Sequence, residues 1–267
     1  SSPPGSKPAP AGPACGAALD SPRGTLYTPL VINEEQFLDF ECPACGDAVS
    51  FPAESAGRVE ACPMCNESLI VPAAPGASTR VPLPIETSRL RLRRLQPGDW
   101  KDLLELVSDE ELFRFSEGEP LDEPGVLAWL ERDPHVRLTT PNQPFCLALE
   151  RLEEPKLIGY ATLEFSGPDR RQAAFNLLVG RPFQRQGYGL EAADALLGFC
   201  FQGIRLHRVF TSCDSRNAAA RHFLERLGLR QEGEFIEDKF VKGEWVNSVW
   251  YAALAREYQE GAEAAAS

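Results

Sequence analysis

The amino-acid sequence predicts an α+β protein of mixed α/β type, with a small cysteine-containing module on the N-terminal side of a larger domain. Two Cys-x-x-Cys pairs lie within residues 37–72, a proline-rich segment follows, and the rest of the chain alternates strand and helix patterns. The strands come first as a meander, then alternate with helices, and end as a pair. This order argues against a doubly wound parallel sheet.

Composition divides the chain into five segments. Residues 1–36 are rich in Pro, Gly, Ala and Ser and are predicted to be disordered. Residues 37–72 form the cysteine module, and residues 73–84 form an extended, semi-stiff linker. The large domain covers residues 85–258, and an Ala- and Glu-rich tail follows at 259–267.

The charge balance restricts the classes of partner. A formal net charge of −12 argues against general binding to nucleic-acid phosphates and favours cationic substrates such as amines or basic peptides. No apolar stretch approaches the ~20 residues that cross a bilayer, and the N-terminal residues lack the apolar core of a signal peptide. We therefore expect a cytoplasmic protein without a membrane or nucleic-acid partner.

Local patterns place the elements of the large domain. Leu90 to Arg93 alternates apolar and charged residues as a half-buried strand does. Asp99 is predicted to cap the helix that follows it, and Gly228 to end a later helix. One expected helix follows Asp99 and has its apolar positions within 103–107, and the others cover 125–132, 189–201 and 217–227. The expected strands cover 145–150, 157–165, 173–179, 208–213, 234–242 and 245–252, with a hairpin turn at 166–169.

Four of the eight cysteines form a metal-ligand pattern. Cys42, Cys45, Cys62 and Cys65 have the spacing C-x2-C-x16-C-x2-C, which is typical of four-thiolate zinc sites. Four thiolates close a tetrahedral site, so the predicted zinc is structural. The module is too poor in apolar residues to fold alone, and zinc would supply stability on the order of 10 kcal/mol.

The module resembles bacterial zinc ribbons, many of which bind nucleic acid or protein. Arg58 is the only basic residue between the two cysteine pairs, which favours docking to a protein. Reduced, unliganded cysteines are the alternative interpretation. A redox role would require a Cys-x-x-Cys pair at the start of a helix.

A glycine-containing loop at residues 181–192 carries the strongest functional signal. It lies between a predicted strand and a predicted amphipathic helix. Gly187 and Gly189 leave backbone N–H groups uncovered, and the N-terminal end of the helix attracts an anion. Arg181 and Arg185 add positive charge. These features predict a binding site for a diphosphate.

Two families bind a diphosphate with such a loop. Gly187-x-Gly189-x-x-Ala192 matches the dinucleotide-binding fingerprint, and Asp214 ends the next strand, where a ribose-binding acid would lie. However, residues 180–186 separate the strand from the glycines, and too little chain follows Asp214 for the rest of that sheet. An NAD-dependent oxidoreductase is therefore the weaker alternative.

Gln184-x-x-Gly187-x-Gly189 resembles the acetyl-CoA pyrophosphate motif of the GCN5-related N-acetyltransferase (GNAT) superfamily. Segments within residues 85–258, among them 86–93, 214–219 and 242–251, are similar to its ribosomal-protein-alanine acetyltransferase (RimJ/RimL-like) branch. The resemblance implies the GNAT fold, in which helices flank a central, mostly antiparallel sheet.

The resemblance also implies which residues bind the coenzyme. In the family, acetyl-CoA lies in a V-shaped opening between the fourth and fifth strands. The corresponding coenzyme-binding residues here are Val179, Gln184, Arg185, Gln186, Gly187, Tyr188, Gly189, Leu190 and Asn217. Asn217 has a second interpretation as the N-cap of the following helix.

The implied reaction is direct attack of an amine on the thioester carbonyl carbon. The ammonium must first lose a proton, because the pKa of an amine is near ~10. The tetrahedral oxyanion needs a donor, for which the family uses a backbone N–H near Leu178 or Val179. Three positions at which relatives carry a Glu, a Ser or a Tyr are occupied here by Ala174, Ala220 and Leu224.

Nearby carboxylates are therefore the candidates for the general base that deprotonates the amine. Glu117 and Glu164 are the candidate catalytic residues. Glu117, with Glu119, lies between the two early helices, where relatives bind the acceptor, and Glu164 lies on the third strand. Each has an ordinary interpretation as a solvated carboxylate. Cys213 suggests an acyl-enzyme, but a buried strand cysteine is commoner.

The sequence thus predicts an acetyl-CoA-dependent N-acetyltransferase joined to a zinc ribbon. The branch resemblance implies a primary amine at a protein or peptide N-terminus as acceptor. Polyamines, aminoglycosides and amino acids stay open as acceptors, since relatives use them all. A non-catalytic acyl-CoA-binding module is a further alternative, because the three positions named above are apolar.

Overall fold

The computed structural model describes residues 31–32, 37–74, 77–167 and 170–266. The predicted disordered segment therefore lies outside the described residues, apart from Val31 and Ile32. Two residues of the linker and two of the turn predicted at 166–169 also lie outside them. In the part of the chain that is described, no helix is long and apolar enough to cross a membrane.

The cysteine module consists of two antiparallel hairpins, and one Cys-x-x-Cys pair occupies the turn of each. A short additional strand lies at the edge of the first hairpin. The cysteine module has a small core of its own, which contains Leu38, Phe40 and Leu69. The strands are β1 Val31–Ile32, β2 Phe37–Glu41, β3 Ala48–Pro52, β4 Val59–Ala61 and β5 Ser68–Ile70.

The large domain is built on an eight-stranded sheet with the order β12-β13-β11-β10-β9-β8-β7-β6. One neighbouring pair, β10 and β11, is parallel, and all other neighbouring pairs are antiparallel. The strands are β6 Ile85–Glu86, β7 Leu90–Arg93, β8 Phe145–Arg151, β9 Leu157–Ser166, β10 Gln172–Val179, β11 Arg208–Asp214, β12 Arg230–Val241 and β13 Glu244–Leu254.

Helices cover both faces of this sheet. They are α1 Trp100–Val107, α2 Glu123–Arg132, α3 Tyr188–Gly198, α4 Ala218–Arg226 and α5 Ala255–Ala266. After α3 the chain continues in a wider helical turn, Phe199–Gly203. The predicted fold class is confirmed, because helices flank a mostly antiparallel sheet and a small cysteine module precedes it.

The two faces of the sheet bury separate clusters of apolar side chains. α1 and α2 pack on one face through residues such as Leu103 and Leu130, against Cys146 and Ala148 of β8. α3 and α4 belong to the larger cluster on the opposite face. Because both faces are covered, β8 buries five successive residues, 145–149. We refer to these surfaces as the α1/α2 face and the α3/α4 face.

The predicted cap at Asp99 is wrong in its detail. α1 begins after Asp99, but the Asp99 side chain makes no capping hydrogen bond to that helix. Its carboxylate pairs with both terminal nitrogens of Arg93, at 2.9 and 2.8 Å, and accepts from the Gln96 N–H at 2.7 Å. A paired, charge-assisted interaction with a largely buried Arg outcompetes a single helix N–H.

The cysteine module packs directly on the large domain. Val59 and Ile70 belong to the same buried cluster as the sheet and α3. Ion pairs join Glu67 to Arg137 at 2.9 Å and Glu60 to Arg170 at 3.3 Å. The described part of the linker also packs on the domain, with Val81 and Leu83 against its core.

Candidate active site and metal centre

Strands β10 and β11 are paired at one end only. Their parallel pairing covers three residues of β10, Gln172 to Ala174, and no described strand pairs with residues 175–179 on that side. β11 stays paired with β13 over its whole length. The two strands therefore diverge, and the opening between them is called the strand gap below.

The hydrogen-bond pattern of β10 determines which backbone groups face the strand gap. The Gly180 N–H donates to the carbonyl of Ile158 in β9 at 2.8 Å, so Gly180 and Ile158 form a hydrogen-bonded pair of the antiparallel ladder. Such pairs alternate along an antiparallel ladder, which turns the Leu178 N–H toward β9 and the Val179 N–H toward the gap. The Val179 carbonyl accepts from Gln184 Nε2 at 2.9 Å. Val179 is therefore the better placed of the two expected oxyanion donors.

The loop after β10 is exposed rather than packed under side chains. Residues 184–187 are exposed, and both Arg185 (φ +58°) and Gly187 (φ +86°) adopt the left-handed conformation. Glu191 donates the first intrahelical hydrogen bond of α3, to the Gly187 carbonyl at 3.0 Å. The preceding N–H groups, at residues 188–190, therefore have the orientation with which a helix N-terminus binds an anion.

The two arginines of the loop differ in their surroundings. Arg181, expected to add positive charge at the diphosphate, instead bonds Asp109 through its Nε at 2.5 Å. Arg185 makes no ion pair with any described residue and lies at the exposed turn. The positive charge available to an anion in this loop therefore comes from Arg185 and from the helix terminus.

The loop is held by a clamp that sequence reasoning missed. Glu191 accepts hydrogen bonds from Thr87 Oγ1 at 2.6 Å, Ser88 Oγ at 2.9 Å and the Arg89 N–H at 2.9 Å. Arg89 also bonds the second Glu191 oxygen through Nε at 2.6 Å and the Gln186 carbonyl through Nη1 at 3.0 Å. Burial alone would raise the pKa of Glu191, but the hydrogen bonds from Thr87, Arg89 and Ser88 outweigh it and lower that pKa.

A cavity of about 490 Å³ opens on the α1/α2 face of the strand gap. Its walls come from β9 to β13 and from the connection between α1 and α2. We call it the gap cavity. Its polar lining residues include Tyr160, Thr162, Asn176, Ser212, Asp214 and Asn217.

The expected acids take different positions around this cavity. Glu117 lines it, and Glu117 Oε2 lies 3.5 Å from Lys239 Nζ. Glu119 pairs with Lys242 at 2.6 Å on the exterior. Glu164 is exposed on β9 and is not part of the lining. The structure therefore brings Glu117, but not Glu164, to the cavity.

Asn217 and Cys213 also line the gap cavity. Asn217 Oδ1 accepts from the Ala220 N–H at 3.0 Å, so the residue does cap α4. Burial raises the pKa of Cys213 to about 11. At neutral pH its thiol is protonated and a poor nucleophile, which argues against an acyl-enzyme.

The four predicted zinc ligands converge on one point. Their sulfur atoms all lie within 4.8 Å of one another, with Cys42 and Cys65 at 3.8 Å and Cys45 and Cys62 at 3.9 Å. Tetrahedral zinc with Zn–S bonds near 2.3 Å requires sulfur atoms about 3.8 Å apart. The cluster therefore has the size that a four-thiolate zinc site needs.

The two cysteine turns are built alike. In the first, the Ala44 N–H donates to Cys42 Sγ at 3.4 Å, and in the second the Met64 N–H donates to Cys62 Sγ at 3.4 Å. The turns close through left-handed residues, Gly46 in one and Asn66 in the other. Backbone N–H groups aimed at sulfur stabilise a thiolate, which is the form that binds a metal.

The sequence profile of the Acetyltransferase (GNAT) domain family matches residues 89–230, more than half of the chain. The chain belongs to the GNAT family. The dinucleotide-binding alternative is wrong, because the sheet is mostly antiparallel and the glycine loop follows its middle, not its first, strand. The GNAT domain makes this protein an acetyl-CoA-dependent N-acetyltransferase.

Relatives and solved structures agree with this assignment. The chain is 26% identical over 176 residues, 65% of its length, to the uncharacterized N-acetyltransferase YnaD of Bacillus subtilis, 98% of which is covered. It is 24% identical to the spermidine N(1)-acetyltransferase of Vibrio cholerae, over 59% of this chain and 88% of that one.

Two solved structures show the same fold. A GNAT-family acetyltransferase from Bacillus anthracis superposes with a TM-score of 0.59 at 21% identity, covering 65% of this chain and 99% of that one. A spermidine N-acetyltransferase of Vibrio cholerae, in complex with CoA and spermine, superposes with a TM-score of 0.57 at 22% identity, covering 65% and 99%. At these identities the superpositions speak for the GNAT fold alone.

Proposed function

We propose that the enzyme transfers the acetyl group of acetyl-CoA to the N-terminal amine of a protein or peptide. This choice of acceptor rests on the pairing of the carboxylates in the gap cavity with cationic side chains. Glu117 lies 3.5 Å from Lys239, and Asp214 pairs with Arg216 at 2.7 Å. These carboxylates already have cationic partners, so the cavity is suited to an acceptor with one amine better than to a polycation.

The surface beside the cavity supports a peptide acceptor. Four exposed apolar side chains lie on the β12–β13 hairpin: Phe235, Ile236, Phe240 and Trp245. Lys239, Val241 and Val246 of the same hairpin line the cavity. A patch of this kind would contact the residues that follow an N-terminal amine held in the cavity.

In the proposed mechanism the coenzyme lies in the strand gap. The N–H groups of residues 184–190 and the charge of Arg185 would hold the pyrophosphate, and Asn217 would contact the pantetheine arm. The Val179 N–H would stabilise the tetrahedral oxyanion. The nitrogen–carbon bond forms as the carbon–sulfur bond breaks, and CoA leaves as a thiolate that takes a proton from water.

Glu117 is the proposed general base, acting through water. It is the candidate acid that lines the cavity, whereas Glu164 lies outside the lining. Glu117→Gln is expected to lower kcat/KM more than tenfold and to change the pH–rate profile, with Glu164→Gln as the matched control. Unchanged profiles in both variants would rule out both carboxylates as bases.

The proposed acceptor is tested with an amine panel under saturating acetyl-CoA. Matched peptides carry a free or a blocked N-terminus, and spermidine, an aminoglycoside and free amino acids complete the panel. We expect the highest kcat/KM with free N-termini and no turnover of blocked peptides that lack Lys. Turnover of spermidine at a kcat/KM above every peptide would overturn the peptide assignment.

A small-molecule amine is the second candidate acceptor. It is favoured by the similarity to the spermidine N(1)-acetyltransferase of Vibrio cholerae. That similarity is an average over 158 residues, whereas the paired carboxylates concern the acceptor cavity itself. The amine panel separates the two candidates.

We further propose that Cys42, Cys45, Cys62 and Cys65 bind one structural zinc ion. The observed sulfur separations support it. A closed set of four thiolates leaves zinc no open position for substrate, so the ion would hold the two hairpins together and take no part in acetyl transfer. The packing of Val59 and Ile70 in the core of the large domain makes the ribbon a fixed part of the enzyme.

A further inference from the structure

In this chain the positions at which relatives carry side chains for proton transfer lie outside the lining of the gap cavity. Ala174, Ala220 and Leu224 occupy those positions. Glu117 and Asp214 line the cavity, and each has a cationic partner, Lys239 and Arg216 respectively. A different group must therefore contact the amine where it meets the thioester.

Tyr160 lines the gap cavity from β9. It lies on β9 opposite Leu178 of β10, one residue before the Val179 N–H that faces the strand gap. Residues opposite each other on neighbouring strands have Cβ atoms about 5 Å apart and project to the same face. The Tyr160 side chain lines the gap cavity together with Thr162 and Asn176.

The Tyr160 ring is fixed while its hydroxyl has no protein partner. Trp129 of α2 meets the ring edge-on, with centroids 5.2 Å apart and an interplanar angle of 88°. The ring packs against the buried cluster of the α1/α2 face. No described residue forms a hydrogen bond with the hydroxyl, although a tyrosine with an apolar ring environment normally satisfies its O–H.

The surroundings keep this hydroxyl neutral. Burial, and to a lesser extent the neighbouring Cys146, raise the pKa of Tyr160. A neutral phenol both donates and accepts hydrogen bonds. The other titratable groups that face the same cavity are Glu117 from the α1–α2 connection, Cys213 and Asp214 from β11, and Lys239 from β12.

We propose that Tyr160 is a catalytic residue whose hydroxyl oxygen accepts a hydrogen bond from the attacking amine and aims its lone pair at the thioester carbon. This inference rests on the proposed N-acetyltransferase reaction and names the group that contacts the nucleophile. The nitrogen bonds to the carbonyl carbon, the sulfur leaves with the carbon–sulfur electron pair, and the nitrogen gives its extra proton to water. Tyr160 gives up no proton in this sequence.

Tyr160→Phe tests the proposal, because it removes the hydroxyl and keeps the ring that Trp129 contacts. One neutral hydrogen bond contributes about 0.5–1.5 kcal/mol, so kcat/KM for the amine is expected to fall about two- to twelvefold. The KM for acetyl-CoA and the melting temperature should stay at the wild-type values. Tyr258→Phe is the matched control, since Tyr258 packs on Phe201 of the wide turn after α3 and is not part of the cavity lining.

The pH profile distinguishes this role from acid–base catalysis. Because the hydroxyl stays neutral, Tyr160→Phe should lower kcat/KM equally at every pH and leave the inflection points in place. A lost or shifted inflection would show that Tyr160 titrates during catalysis and would overturn the proposed role. Equal kcat/KM in wild type and Tyr160→Phe would overturn the contact itself.

The same experiment separates this inference from the function on which it rests. A wild-type enzyme that acetylates peptides while Tyr160→Phe matches it refutes only the role of Tyr160. A wild-type enzyme that binds acetyl-CoA and acetylates no amine refutes the proposed function, and the role of Tyr160 falls with it.

Discussion

Replacing Glu191 by Gln is expected to weaken coenzyme binding through the loop that the residue holds. Gln keeps one acceptor oxygen for Thr87 and Ser88. In the wild-type enzyme Arg89 Nε donates to the other Glu191 oxygen at 2.6 Å, and in the variant an amide NH2 group, itself a donor, takes the place of that oxygen. Arg89 in turn bonds the Gln186 carbonyl, within the loop. The substitution therefore removes the charge that fixes Arg89, and with it the anchor of the loop.

The size of the effect follows from this interaction. A hydrogen bond to a charged group contributes about 1.5–3 kcal/mol. The Arg89 side chain is 45% exposed, and solvent weakens such a pair, so we expect a loss of about 1–2 kcal/mol. Each 1.4 kcal/mol corresponds to about a factor of ten, and the KM for acetyl-CoA should rise about five- to thirtyfold. The kcat should change less than twofold, because no reacting atom touches Glu191.

The assay is steady-state kinetics with acetyl-CoA varied at saturating acceptor, together with the melting temperature. Glu86→Gln is the control, because Glu86 pairs with Arg91 at 2.9 Å on the surface and such pairs contribute little. A lower melting temperature in Glu191→Gln with an unchanged KM for acetyl-CoA would refute the reasoning, since the clamp would then stabilise the fold without ordering the loop.

Four further outcomes are expected. Gly187→Ala should weaken CoA binding in calorimetry by about 1–3 kcal/mol, because Gly187 has φ +86° and an added Cβ would lie 3.2 Å from Arg89 Nη2. Asn217→Ser should keep the cap on the Ala220 N–H, and hence the melting temperature, while raising the KM for acetyl-CoA; an unchanged KM would assign Asn217 to capping alone. Metal analysis should find one zinc ion per chain, and Cys62→Ser should lower both the zinc content and the melting temperature. The pKa of Glu191 lies below its ordinary value of 4.5, so its stabilising contribution is present above that pH and is lost as the pH falls through the lower value; the stability difference between wild type and Glu191→Gln should shrink accordingly in denaturant titrations.

Patterns along the chain were sufficient to predict the fold class and most elements. Apolar alternation placed β7, and the left-handed Gly228 ended α4 where a glycine stop was expected. These features depend on local backbone chemistry, which a single sequence carries. The two Cys-x-x-Cys pairs and the glycine loop were visible for the same reason, since the residues of each pair and of the loop lie close together in the chain.

Contacts between distant segments could not be predicted in this way. Glu191 and Arg89 are far apart in the chain and meet only because α3 packs beside β7. Asp99 pairs with Arg93 instead of capping the helix N–H groups, as its position in the sequence had suggested. Tyr160 had no distinguishing local pattern, and its relevance follows from the register of β9 with β10. Side-chain partners at a site depend on tertiary packing that local rules do not contain.

The partial pairing of β10 and β11 has a mechanical consequence. The sheet consists of two halves, called leaves here: strands β6 to β10 and strands β11 to β13. Within the sheet, the two leaves are joined by the backbone pairing of Gln172, Ala173 and Ala174 with β11. Bound coenzyme would supply hydrogen-bonding groups beyond Ala174, where the two strands no longer pair, and would so connect one leaf to the other. The cosubstrate would then stiffen the same β-sheet that aligns it, and the enzyme would reach its most rigid state only when it is loaded for transfer.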